Sequence, residues 1–266
     1  MDFIAQLTGG GLIEWWGLLL IVLGVFFAGF VDAIAGGGGL ISLPAYLLAG
    51  VPVHNAIYTN KLGATMGTLV ATLKYLKEGF VQWKVVLPSV AFALLGSVIG
   101  ARLTIIASDT VLMIFMLAVI PVAAFYVLKK DSVTGDGEPL EFKKLVIVCI
   151  FISLAIGLYD GFYGPGTGTF LMLLFIGVAR MSAQHAAGAT KIINLTTNAS
   201  ALFVYLINGG VWIVLGLIAG VFSIAGNYLG AKFFTENGAK VLKPVILLVL
   251  FIFALHLVFE LIGISL

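Results

Sequence analysis

The chain has 266 residues, of which 61% are apolar and only 10% carry a charge. A soluble domain of this length carries roughly 25% charged residues, so the composition excludes a soluble globular protein and predicts an all-α polytopic membrane protein. The formal net charge of +2 gives no reason to expect a nucleic-acid partner.

The N-terminal segment and the cysteine content exclude further classes. Residues 1–20 contain Asp2 and Glu14 but no Lys or Arg, so we expect the first apolar run to stay in the protein and not to be a cleaved signal peptide. Cys149 is the only cysteine and lies inside an apolar run, which excludes a disulfide within one chain and disfavours a thiolate metal site. We therefore expect no metal and no cofactor.

Apolar runs follow one another in the same order in two halves of the chain. In the first half they cover about 12–35, 40–50, 54–77, 84–107 and 109–128, and in the second about 145–160, 169–179, 183–207, 210–232 and 240–262. The second run of each half holds about eleven residues, whereas a membrane span needs about 20. We predict two transmembrane repeats, at 1–128 and 145–266, joined by a cytoplasmic linker at 129–144.

Sequence motifs support this division. "GFVDAIAGGGG" from Gly29 matches "GLYDGFYGPGTG" from Gly157, which pairs Asp32 with Asp160, and further along the chain Lys61 matches Lys191. Self-similarity over this length is typical of transporters built from two related halves.

The distribution of Lys and Arg distinguishes two topologies. If the first two runs of each half form one crossing, the halves are parallel and the loop cations divide about seven to five, which is no bias. If those runs enter and return on one side as a hairpin, the halves are inverted, and one side keeps only Arg102 while the other collects about eleven cations. We therefore predict two inverted repeats, each a re-entrant helical hairpin plus three transmembrane helices, with both termini outside. The first run, at 12–35, is long enough to span the membrane by itself.

The glycine-rich segments would form the tips of these hairpins. We define the first tip as Gly36–Gly39 and the second tip as Gly164–Gly168, "GPGTG". A short helix begins after each tip, at about Leu40 and Thr169, and its first amides have no intrahelical acceptor and carry the positive end of the helix dipole. Glycine lets a ligand approach these amides closely, which predicts an anion site. Four other glycines, at 96, 100, 226 and 230, are better explained by close helix packing.

Two lysines lie inside otherwise uncharged runs, too deep for comfortable snorkelling. Lys61 shares a helical face with Thr65, Thr68 and Thr72, and Lys191 shares one with Asn194 and Asn198. Two interpretations stay open. The lysines bind the anion, or they form structural ion pairs, Lys61 with Asp32 and Lys191 with Asp160.

With these motifs the chain resembles the sulfite exporter TauE/SafE family, in the branch whose halves carry "GFVDAIAGGGG" with "TNK" and "YDGFYGPGTG" with "ATKIINLTTN". The resemblance covers nearly the whole chain and implies transport of small sulfur-containing anions, generally outward across the cytoplasmic membrane of a bacterium. It points to substrate-binding residues in both halves. Together with Thr65 and the remaining residues of the second tip, the predicted set is Asp32, Gly36, Gly37, Gly38, Gly39, Asn60, Lys61, Thr65, Asp160, Gly164, Gly166, Thr167, Gly168, Lys191, Asn194 and Asn198.

The sequence thus predicts a secondary carrier in the bacterial inner membrane that exports sulfite or an organosulfonate by alternating access. The partners expected are the small anion and the lipid bilayer. An anion channel of the same architecture is the alternative, because the same glycine tips would attract anions there. We expect no catalytic activity, since the chain carries no HExxH motif and no protease constellation.

Overall fold

The structure is a computed structural model that describes residues 13–108 and 139–241, together with residues 110–112, 114, 244, 245, 248 and 251. Eight α-helices lie in the two long described ranges: α1 Trp15–Ala35, α2 Gly39–Leu48, α3 Val53–Lys77, α4 Trp83–Ile106, α5 Phe142–Phe162, α6 Thr167–Gly177, α7 Ala183–Asn208 and α8 Ile213–Asn237. A short 3-10 helix, Gly238–Val241, follows α8. The all-helical prediction therefore holds for the described residues.

The predicted runs correspond to these helices with small shifts. The two short runs are α2, with 10 residues, and α6, with 11. The largest shift is in α8, which ends at Asn237 rather than at 232. The helix α5 begins at Phe142 rather than at 145 and has 21 residues, as many as α1. The runs predicted at 109–128 and 240–262 and the linker at 129–144 fall mostly outside the described residues.

Four of the described helices, α1, α4, α5 and α8, are long and apolar enough to cross a membrane. The helices α3 and α7 are as long, with 25 and 26 residues, but they carry more polar side chains. They pack against each other, and α3 also contacts α8 while α7 contacts α4. Their polar residues are largely buried, because these two helices are surrounded by the more apolar ones.

The two halves are interlocked through their outer helices. The fourth helix of the first half, α4, packs along α5, and its counterpart α8 packs along α1. A β-carbon at Gly96 or Gly100 would clash with carbonyl oxygens of α5, and one at Gly226 or Gly230 would clash with carbonyl oxygens of α1. The packing interpretation of these four glycines is confirmed.

The helices α1 and α2 are antiparallel and pack against each other. A β-carbon at Gly24 would lie 2.6 Å from that of Ala45, and one at Gly17, near the start of α1, would lie 3.1 Å from that of Ala49, just after α2. The beginning of α1 and the end of α2 therefore lie at the same end of the bundle, with the first tip at the far end of the pair.

Contacts between loops show which helix ends lie together. Gln82, between α3 and α4, contacts His185 at the start of α7, with 3.0 Å between Nε2 and Nδ1. Asn55, at the start of α3, donates through Nδ2 to the carbonyl oxygen of Gly210, between α7 and α8, at 2.8 Å. The end of α3 is thus next to the start of α7, and the start of α3 is next to the end of α7.

Candidate functional site

The two glycine tips touch each other. The backbone N–H of Thr169 donates to the carbonyl oxygen of Gly36 at 3.1 Å, and its hydroxyl donates to the carbonyl oxygen of Ala35 at 3.0 Å. Gly36 ends α1 in the left-handed conformation, with φ 77°, and its backbone packs on that of Gly168. A side chain at either glycine would occupy the space of the other backbone.

Each buried lysine pairs with an aspartate of the other half. Lys61 Nζ lies 2.9 Å from Asp160 Oδ2, and Lys191 Nζ donates to Asp32 Oδ2 at 2.8 Å. The predicted partners, Lys61 with Asp32 and Lys191 with Asp160, were wrong. Proximity along the sequence suggested pairs within a half, but the contact between the tips brings each aspartate to the central helix of the other half.

Further hydrogen bonds hold the Lys61 pair in place. Asp160 Oδ1 accepts from the hydroxyl of Thr167 at 2.6 Å, whereas the Lys61 contact at Oδ2 has ion-pair distance without hydrogen-bond angles. Lys61 also donates to Asn198 Oδ1 at 2.9 Å, and Asn198 donates to Asn194 Oδ1 at 3.1 Å. A network of this kind fixes the lysine against α7, and Asn198 Oδ1 is the one hydrogen-bond acceptor of its ammonium among the described residues.

The two ion pairs differ in their position relative to a central cavity. The cavity lies where α1, α3 and α8 meet the two tips, and its volume is about 50 Å³. Lys61 lines it, whereas Lys191 does not. Lys191 is held on the other side of Asp32, where it also donates to the backbone carbonyl of that residue.

Thirteen of the sixteen predicted residues line this cavity: Asp32, Gly36, Gly38, Gly39, Asn60, Lys61, Asp160, Gly164, Gly166, Thr167, Gly168, Asn194 and Asn198. Gly37, Thr65 and Lys191 do not. The Thr65 hydroxyl donates to the carbonyl oxygen of Lys61 in its own helix at 2.7 Å, as threonines in helices commonly do.

Other cavity residues were not predicted, among them Ser42, Tyr163, Ser223 and Asn227. Ser223 and Asn227 belong to α8, which carries neither glycine tip nor buried lysine. The one signal in the sequence for these residues was an asparagine, Asn227, directly after Gly226 in an otherwise apolar run. In the matching register of the first half this position is Ser97, whose hydroxyl donates to the carbonyl oxygen of Thr197 at 2.7 Å.

The cavity is suited to a small oxyanion. The short helices α2 and α6 begin at its edge, at Gly39 and Thr167. Among the described residues, the backbone amides of Gly37, Gly38 and Gly39 have no backbone acceptor. Such amides, the positive helix ends and the Lys61 ammonium are the groups with which proteins bind anions.

Comparison with known proteins identifies relatives along most of the chain. Residues 20–257 match the family model described as "Sulfite exporter TauE/SafE". The chain is 36% identical over 241 residues to "Probable membrane transporter protein ORF9" of a Sinorhizobium species, covering 90% of this chain and 92% of that one. It is 30% identical over 250 residues to "Probable membrane transporter protein YfcA" of Escherichia coli K12, covering 90% and 91%. No solved structure matches the chain.

Proposed function

Because this chain belongs to the sulfite exporter TauE/SafE family and is a multi-pass membrane transporter, we propose that it is a secondary transporter that moves a small anion, sulfite or an organosulfonate, out of a bacterial cell. The anion binds in the central cavity and crosses the cytoplasmic membrane by alternating access. The protein has no catalytic role in this proposal.

One observation carries the proposal. The beginnings of two short helices, one from each half, lie at a single buried cavity that is also lined by Lys61. A positive helix end pointing at a substrate from a broken or short membrane helix is the usual anion-binding device of secondary transporters. Two such ends at one site, at the contact between the halves, favour a substrate site over simple helix packing.

The size of the cavity favours a small ligand. One water molecule needs a cavity volume of about 10–15 Å³, so a cavity of about 50 Å³ holds a few water-sized groups. Sulfite, or the sulfonate group of a short organosulfonate, has this size. A long organic tail would need the cavity to widen.

The loop contacts support an inverted arrangement of the repeats. In a parallel arrangement, the end of α3 and the start of α7 would lie on opposite sides of the membrane. The contact of Gln82 with His185 puts these two helix ends together, and Asn55 with Gly210 does the same at the other end. We therefore propose inverted repeats with re-entrant hairpins and with both termini outside.

Binding of the anion is the first test. Purified protein is heated in detergent with sulfite, sulfate, thiosulfate or methanesulfonate, and a ligand of the folded state raises the unfolding midpoint. We expect sulfite or methanesulfonate to raise it, and the double variant Lys61→Met/Asp160→Asn to lose this effect. The matched control is Lys74→Met, because Lys74 forms a partly exposed pair with Glu78 and does not line the cavity.

Transport of the anion is the second test. Protein in proteoliposomes should give saturable flux of the bound anion, accelerated by the same anion on the other side, as a carrier requires. A conductance too large for carrier turnover would instead establish the channel alternative. Stabilisation by none of the four anions would contradict the proposal.

A further inference from the structure

Asn227 lines the cavity and carries an unpaired hydrogen-bond acceptor. The residue is 1% exposed and lines the cavity, and its Oδ1 is buried without a partner among the described residues. Its Nδ2 donates to the carbonyl oxygen of Ser223 at 3.0 Å. A carbonyl oxygen only accepts, so the amide nitrogen must face Ser223 and Oδ1 must be the atom left over.

The Asn227 amide nitrogen packs closely against two glycines of neighbouring helices. A β-carbon at Gly29 of α1 would lie 2.9 Å from Asn227 Nδ2, and one at Gly67 of α3 would clash with the same atom. The amide is therefore held between α1, α3 and α8. Leaving a buried acceptor unpaired is unfavourable, so an acceptor of this kind at a cavity indicates a role in ligand binding.

Asp32 lies on the same side of the cavity. It follows Gly29 by three residues on α1, so both lie on one face of the helix. Its side chain is 13% exposed, against 2% for Asp160. Lys191 occupies Oδ2, and among the described residues Oδ1 has no hydrogen bond. Asp32 and Asn227 thus form an acceptor side of the cavity, opposite in character to the donors of the tips and Lys61.

The balance of charge points to the same ligand. The charged residues described at the cavity are Asp32, Lys61 and Asp160, and with Lys191 behind Asp32 the four charges sum to zero. An anion that enters alone leaves a net negative charge in a buried site, which is costly. One monovalent cation restores neutrality.

We propose that the cavity binds one monovalent cation, a proton or Na⁺, together with the anion, at the acceptor side formed by Asp32 and Asn227. This inference rests on the proposed function, because it concerns what accompanies the anion. Na⁺ would be held by the free oxygens of the two residues. A proton would reside on Asp32, with Asn227 accepting from the resulting O–H.

The groups that face Asp32 include one cation and one further titratable side chain. Lys191 faces it from α7, and Tyr75 of α3 donates through its hydroxyl to the carbonyl oxygen of Ala33. The helices α2, α6 and α8 present Gly38, Thr169 and Asn227 to this part of α1, none of which titrates. Lys61 and Asp160 lie across the cavity.

Calorimetric titration of the purified protein distinguishes the two cations. The probe is methanesulfonate, which keeps one negative charge between about pH 6 and 8, whereas sulfite changes its own charge there. Its Kd is measured at constant ionic strength with choline or Na⁺, and at pH 6.5 or 8. We expect about tenfold tighter binding in Na⁺ if the cation is Na⁺, or about tenfold tighter binding at pH 6.5 in choline if it is a proton.

The variant Asn227→Leu should lose this dependence while Ser97→Ala, the matching position of the first half, keeps it. Should Asn227→Leu fail to fold, the wild-type titrations still decide. A Kd that is equal in choline and Na⁺ and at both pH values would overturn the inference and leave the proposed function standing. Failure of both methanesulfonate and sulfite to bind under every condition would overturn both.

Discussion

Lys191 of the second half is paired with Asp32 of the first half, with 2.8 Å between Nζ and Oδ2, and both side chains lie against the tip contact. The lysine side chain is 2% exposed. A buried charge that loses its partner costs about 3–5 kcal/mol. The observed pairing therefore predicts which second substitution restores the stability that is lost when Lys191 is replaced.

We predict that Lys191→Met lowers the stability of the folded protein by about 3 kcal/mol or more, and that adding Asp32→Asn restores most of it. Adding Asp160→Asn instead should lower the stability further, because it also breaks the pair with Lys61. The measurement is the unfolding midpoint of purified protein in detergent. Rescue by Asp160→Asn and not by Asp32→Asn would contradict the observed pairing.

Lys61 should behave differently because it lines the cavity. We predict that Lys61→Met/Asp160→Asn recovers stability relative to Lys61→Met but binds no anion, since the ammonium that faces the ligand is gone. The double variant Lys191→Met/Asp32→Asn should bind the anion more weakly than the wild type, because Asp32 lines the cavity, but should keep measurable binding because Lys61 remains. Titration with sulfite compares the two double variants. Equal and complete loss of binding in both would contradict the assignment of Lys61 as the ammonium that binds the anion.

The close contact of α4 with α5 depends on Gly100. A methyl group there would clash with the carbonyl oxygen of Leu158, so we predict that Gly100→Ala destabilises the protein by about 1–3 kcal/mol. Gly63 is the matched control, because a β-carbon there would find no atom nearer than 3.6 Å. Gly63→Ala, in a helix interior, should stabilise the protein by up to about 1 kcal/mol. Thermal unfolding of both variants should give shifts of opposite sign.

The tip contact can be separated from glycine conformation by comparing two residues of the second tip. A β-carbon at Gly168 would lie 2.5 Å from Gly36 Cα, so Gly168→Ala must push the tips apart. Gly166 also has a positive φ, 84°, but the atom nearest to an added β-carbon there would be 3.4 Å away, an ordinary van der Waals contact. Gly166→Ala should therefore cost only about 1–2 kcal/mol of conformational strain. Because Gly166 lines the cavity, its transport should be reduced but not lost. Flux in proteoliposomes should be lost in Gly168→Ala alone.

The proposed topology predicts the accessibility of two loops. Gly79, after α3, and Gly209, after α7, both have positive φ and empty space around the β-carbon position, so each accepts a cysteine with similar strain. In a Cys149→Ser background and right-side-out vesicles, an impermeant thiol reagent should label Gly209→Cys and not Gly79→Cys. Labelling of both positions to the same extent would exclude inverted repeats of the proposed kind.

Several features followed from the sequence because their causes are local or repetitive. The short helices α2 and α6 followed from the sequence because each glycine tip is followed by only about eleven apolar residues. The role of Gly96, Gly100, Gly226 and Gly230 followed from small residues at helical spacing in apolar runs. The buried lysines and aspartates were identifiable because charge is rare in such runs and repeats in both halves.

Other features depended on which helices lie side by side. The partners of Lys61 and Lys191 were reversed because the tips meet across the two halves, and no spacing within one half encodes that contact. Lys191 matches Lys61 in sequence, yet only Lys61 lines the cavity. Lys191 instead donates to both the side chain and the backbone carbonyl of Asp32. Asn227 carries no motif, and only the tertiary structure shows that its oxygen has no hydrogen-bond partner among the described residues. Composition and repetition thus determined the elements and the candidate charges, whereas the tertiary contacts decided their pairing and which of them reach the cavity.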